Sequence, residues 1–168
     1  MSSRPQSRIT DMLRVTAYHE AGHAVVAFNE RVAIHSITIE ACRDYAGRVI
    51  RGNPYQGIKL NIDNTLRSRN RAKAVVRVLL AGYMAQKMKD PNCYRSHHDK
   101  TDRQTAADLI RRIASPRTPD ASLKVLGLEL SDTLASQWYQ VEALAQELLK
   151  QRTLSQKEVR KVIMDASP

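Results

Sequence analysis

Residues 19–23 of this 168-residue chain read HEAGH, inside the run TAYHEAGHAVVAF. Ala17, Ala21, Ala24, Val25 and Ala27 suit a helix, and their small side chains leave room for close packing around a metal. Four residues apart on a helix, His19 and His23 lie one above the other on a single face, with Cβ atoms about 5–6 Å apart. Two imidazoles at that separation can close on one ion. Glu20 stands beside them, within reach of a water at the metal. H-E-x-x-H at this spacing is the arrangement in which two histidines bind zinc and the glutamate serves as the general base of peptide hydrolysis.

A zinc site that performs hydrolysis takes three protein ligands and keeps a fourth position open. No HExxHxxGxxH extension follows His23, where the chain continues AVVAFNERV, so the third ligand must come from elsewhere. His97, His98, Asp99, Asp102 and Asp108 are the downstream candidates. Asp102 opens a helix whose apolar face runs through Ala106, Leu109, Ile110 and Ile113, which places it one turn before Ala106 on the buried side. A carboxylate turned inward needs a partner, and a metal supplies one. The competing role for Asp102 is an ordinary helix N-cap. Asp108 falls toward solvent, His97 and His98 sit in a polar loop, and His35 lies in a strand.

The remaining pattern is mainly α with a small β-hairpin. Residues 1–9 read as a flexible basic tail and 10–168 as one domain. Thr10 or Asp11 is expected to cap a first helix running to about Phe28. The stretch AIHSITIE alternates, with His35, Ile37 and Ile39 on one side, and RVIRG makes a return strand. A second helix is expected from about Thr65 to Lys89, ended by Asp90-Pro91. TDRQTAADLIRRI starts a third with Thr or Asp as its cap, and residues 120–137 and 138–151 form two more. LSQKEVRKVI forms a last one, capped by Ser155 with Glu158 three residues on.

Charge bears on partners. Lys and Arg number 27 against 17 Asp and Glu, a net charge of +10, while aromatic residues make up only 5%. Single-strand nucleic-acid binders interleave stacking rings with their cations, so a solvated basic face is preferred to a nucleic-acid site. Cys42 and Cys93 form no CxxC pair and read as free thiols in a reducing compartment. The N-terminal residues carry no apolar signal stretch, and the runs AVVAF and VLLAG are far shorter than the roughly 18–20 residues that cross a bilayer. The expected location is the cytoplasm.

With these residues in place, the chain resembles the peptidase domain of FtsH-type AAA+ zinc metalloproteases. AYHEAGHAVVAF is similar to that family's zinc helix, and VAIHSITIEACRDYAGRV to the strand, turn and glycine that follow, with Gly47 in the glycine position. LLAGYMAQKM resembles the helix that reads GRAAEE in the family, with Gln86 where the family has a glutamate. TDRQTAADLIRRI resembles the helix whose leading NDL presents an aspartate as third zinc ligand, and VEALAQELLKQRTLSQKEVRKVI the closing helices. The likeness runs through most of residues 10–163. It departs at RSHHDKT, where the family has a TTGAS-like approach to the aspartate, and in the lack of a P-loop.

The resemblance implies a zinc metalloendopeptidase with His19, His23 and Asp102 as metal ligands and Glu20 as base. Its substrates are expected to be unfolded or flexible polypeptides lying along the edge of the 34–39 strand, with a separate ATPase as partner for folded ones. The family's hexameric rings make a homo-oligomer part of the expectation. Two other readings stay open. One is a catalytically silent interaction module, or pseudoprotease; the other is a nucleic-acid-associated protein using Arg67, Arg69, Arg71, Lys73 and Arg77.

Overall fold

The computed structural model describes residues 5–40, 48–51, 65–92, 100–113 and 119–168. In chain order its elements are α1 (Pro5–Asn29), β1 (Ile34–Thr38), β2 (Arg48–Arg51), α2 (Leu66–Lys89), α3 (Lys100–Ile113), α4 (Pro119–Ser136), α5 (Trp138–Gln151), β3 (Thr153–Ser155) and α6 (Gln156–Asp165). It is a mainly helical fold with one small antiparallel sheet, as the periodicity predicts.

Helix α1 is the centre of the packing. Every residue from Thr16 to Ala27 is buried, which requires protein on all sides of the helix. α2 and α5 pack against it, with β1 at its C-terminal end. The approach of α2 is very close. A Cβ built on Gly22 would stand 2.5 Å from the Cβ of Ala85 and 2.7 Å from the carbonyl oxygen of Ala81. Gly22 is therefore required by contact between backbones, and the glycine and the two alanines set how near the helices come.

On the other flank α1 is locked to α5. The fully buried ring of Tyr18 stacks on Trp138, with centroids 5.8 Å apart. Its hydroxyl donates to Glu142 at 3.3 Å, and the Lys89 ammonium at the end of α2 reaches the same carboxylate at 3.0 Å while standing over the Tyr18 ring. Three helices thus meet one residue before His19. Leu144, Leu148 and Ile163 complete the core beneath, each fully or nearly fully buried and each contributing about 1.5–3 kcal/mol of transfer free energy.

Helix ends follow local chemistry. α1 starts at Pro5, so the helix takes in part of the stretch read as a flexible tail, and Thr10 and Asp11 lie within it. Proline at a first helical position is preorganised and has no N–H to orphan, and no breaker separates Pro5 from the buried run. α1 ends in a Schellman turn. Arg31 has φ 55 and Val32 N–H returns to the Ala27 carbonyl at 2.8 Å, which aims the chain into β1. α2 stops before Asp90 and α6 carries the full Ser155–Glu158 capping box, both as the sequence predicts, while Thr65, read as the approximate start of α2, is its N-cap. α3 begins at Lys100, so Asp102 sits in its first turn and is not the cap.

The sheet has the order β2-β1-β3. β3 escapes the sequence reading, since three residues between two helices carry no alternation. Its pairing with Ser36–Thr38 puts β1 in the middle of the sheet. An extended substrate along the edge of β1 is therefore excluded where β3 lies, because its ladder is taken on both sides. The alternation of β1 is also broken. Ile34 faces Arg51 and Ser36 faces Ile50, so His35 is the extra residue of a bulge; it is exposed, while Ile34 and Ile37 are both buried. A bulge shifts the side-chain phase by one residue, which is why His35 parts from the face of Ile37. Residues 52–64, Gly47 and both cysteines lie outside the described residues.

The Lys89–Glu142 contact holds the Glu142 carboxyl below its ordinary value of 4.5, first through the hydrogen bond from Lys89. A depressed carboxylate adds stability above its unfolded value and loses it as pH falls through the folded one. Exposure of the pair limits the amount to under about 1 kcal/mol. Urea unfolding at pH 7 and pH 3 is expected to show a smaller loss for Glu142→Gln than for the unaltered chain; equal losses would remove the link.

Candidate metal centre

His19 and His23 leave α1 on the face turned to α2 and α3. They are 8% and 1% exposed, and Glu20 between them is 5% exposed. The two imidazoles meet edge to face at 83°, and their Nε2 atoms stand 3.1 Å apart. From the first turn of α3, Asp102 brings its Oδ2 to 3.0 Å from His23 Nε2, with 23% of its side chain exposed. One ligand atom from each of the three residues lies within 4.8 Å of the others. The chain thus brings together, across 79 residues of sequence, the three groups that the motif and the Asp102 helix nominate.

The neighbouring α2 fixes the tautomer. His23 Nδ1 lies 2.6 Å from the carbonyl oxygen of Val78. A carbonyl only accepts, so Nδ1 carries the proton and donates it. In neutral His23 that leaves Nε2 with a lone pair, aimed at His19 Nε2 and at a carboxylate that offers acceptor sites alone when ionised. A metal ion placed among the three would draw on both imidazole lone pairs and the carboxylate. The spacing suits a metal: two imidazole nitrogens at Zn–N lengths of about 2.0–2.1 Å in tetrahedral geometry stand roughly 3.3 Å apart. A histidine ligand whose second nitrogen donates to a backbone carbonyl is also the usual support of such sites.

Gly82 opens the space. A Cβ there would fall 2.4 Å from His23 Nε2 and 2.8 Å from His19 Nε2, in the volume that the two imidazole nitrogens occupy. Any side chain at this position displaces the rings. The sequence shows a glycine within an otherwise regular helix, yet its reason is visible only once α1 and α2 are docked. The Val78 carbonyl is invisible to any reading of side chains. Asp102 gains from its place as well, since the positive end of the α3 dipole favours a negative side chain in the first turn.

Asp108 and His35 stand apart from the site. Asp108 is exposed and bonds Arg111 at 2.7 Å on its own helix, so it is a surface residue as expected. His35 is exposed on the β1 bulge. His97, His98 and Asp99 lie outside the described residues. Of the basic residues on α2, Arg71 donates to the Arg31 carbonyl at 3.1 Å and Arg77 bridges Glu30 and Glu129 at 3.3 and 2.8 Å. These two serve the packing of α2 against its neighbours. Gln86 is 2% exposed within the α2 face that meets the core. Among the described residues, no helix is long and apolar enough to cross a membrane.

Compared with models of known protein families and with curated proteins, the chain matches none.

Gly82→Ala is expected to keep the helical fold and weaken zinc binding by about tenfold or more, since losing the support around metal ligands costs about 10–100-fold. Competition with a chromophoric chelator measures it. Unchanged affinity would mean that the rings do not need the space beside α2.

Proposed function

We propose that the chain is a zinc-dependent endopeptidase of the FtsH peptidase type, acting on unfolded or flexible polypeptides. The observation that carries this reading is the convergence of His19, His23 and the Asp102 carboxylate within 4.8 Å, with the adjacent Glu20 buried at 5% exposure.

His19, His23 and Asp102 would hold the zinc, two neutral imidazoles and one carboxylate. When bound, the ion supplies a Lewis acid that makes water nucleophilic near neutral pH and polarises a peptide carbonyl. The protein's own residues do the rest. The Val78 carbonyl keeps His23 in the tautomer whose Nε2 lone pair faces the site. Asp102 reduces the positive charge that three neutral ligands would leave. Glu20 follows His19 directly and takes up the proton of the attacking water, then passes it to the departing amine nitrogen, as a positioned base does. Its burial keeps bulk water from competing for that proton.

The base separates this reading from an interaction module with a structural metal, which has no use for a carboxylate beside its ligands. The chain takes substrates that are already flexible, or works with a separate ATPase that unfolds them. Two internally engaged arginines on α2 weaken the nucleic-acid reading, which counted on all five cations.

Glu20→Gln is expected to retain zinc and the fold while cleaving a labelled unstructured protein about 10²–10⁴-fold more slowly, the range for loss of a general base. Zinc-loaded wild type, a chelated control and the variant are assayed together. Equal cleavage by variant and wild type would refute Glu20 as the base. Absence of cleavage by a zinc-loaded wild type would favour the interaction module.

A further inference from the structure

A large cavity stands apart from the zinc recess. It is a groove of about 1080 Å³ between α2, α3 and α4. Leu80, Tyr83, Met84 and Leu123 form its apolar floor, and Lys87, Lys100, Arg103 and Lys124 stand around it. None of its lining residues among those described is acidic. Met88, which also lines it, is 39% exposed, and Leu128 on α4 is 61% exposed. An apolar floor with a rim of one sign of charge is the mark of a surface that receives something.

Gly127 points the same way. It lies within α4, where glycine costs about 1 kcal/mol of helix propensity against alanine, and it lines the groove. A Cβ built there meets nothing within 4 Å. Unlike Gly22 and Gly82, it is not demanded by packing inside the chain. Its effect is to leave the groove open.

We infer that this groove binds an acidic polypeptide segment carrying aliphatic side chains, with the apolar residues on the floor and the carboxylates against Lys87, Lys100 and Lys124. Charge complementarity selects this occupant. A second copy of the chain brings the same excess of 27 basic over 17 acidic residues and repels the rim. A nucleic acid would match the rim and waste the floor, where Tyr83 is the single aromatic ring and bases need stacking partners. An amphipathic segment satisfies both, as in other grooves that receive an apolar helix face. Tyr83 follows Gly82 and Arg103 follows Asp102, so a bound segment is held beside the metal recess. The groove does not depend on the metal, and the inference stands whether or not the chain hydrolyses peptides.

The test is fluorescence anisotropy of a labelled helical peptide of Glu and Leu, with the full chain in the Glu20→Gln background, with and without chelator. A peptide of Glu and Ser with the same charge and a single-stranded oligonucleotide of equal charge are the comparison probes. The Glu–Leu peptide is expected to bind regardless of chelator and at least about tenfold more tightly than the Glu–Ser peptide. Lys100→Glu with Lys124→Glu, and separately Gly127→Gln, are each expected to weaken it about tenfold. Both lysines are exposed and Gln at 127 suits a helix better than Gly, so thermal unfolding should stay at or above the wild-type midpoint. Equal binding of the two peptides, loss of binding on chelation, indifference to all the substitutions, or displacement of the peptide by the oligonucleotide would each overturn the inference.

Discussion

The candidate metal centre depends on how near α1 and α2 approach. Gly22 meets Ala81 and Ala85, and Gly82 meets the two histidines, at distances where a Cβ would collide. Small residues permit the approach; burial of Val75, Val76, Val78 and Leu79 on the facing helix drives it. The closeness has a chemical consequence. It brings the Val78 carbonyl to His23 Nδ1 and so sets the direction of a lone pair on the opposite side of the ring. A backbone contact thereby selects the tautomer of a side chain that the proposed reaction needs.

The recess is a poor structural element by itself. Two imidazoles and a carboxylate, closely gathered and mostly withdrawn from water, carry a desolvation cost that a bound cation would offset. The fold maintains the arrangement from outside, through the Tyr18–Trp138 stack, the contacts of Lys89 and Glu142 with Tyr18, and the helix-end position of Asp102. In this account stability is supplied by the core and spent at the site, and a bound cation returns part of it, because ligands that bind only the folded state stabilise it.

Much of this was legible in the sequence, for physical reasons that differ by element. The limits of α2 are local events, a threonine cap at one end and Asp-Pro at the other, and local chemistry is written in adjacent residues. The same holds for the Ser155 box. The pair His19–His23 follows from helical spacing alone, and the inward face of Asp102 from the apolar period of α3. What escaped was non-local. β3 exists because residues 36–38 lie alongside it, and the bulge at His35 comes from a register between strands. The beginning of α1 at Pro5 was hidden because Thr10 and Asp11 are equally good caps in isolation. The purpose of Gly82 and the part of Val78 require two helices to be docked first.

The central claim is that His19, His23 and Asp102 hold one zinc ion, and X-ray absorption at the zinc edge tests it most directly. The account expects one zinc per chain, a shell of nitrogen and oxygen near about 2.0–2.2 Å, and the outer scattering of two imidazoles. Failure to retain stoichiometric zinc, or a sulfur shell near about 2.3 Å from Cys42 or Cys93, would contradict it.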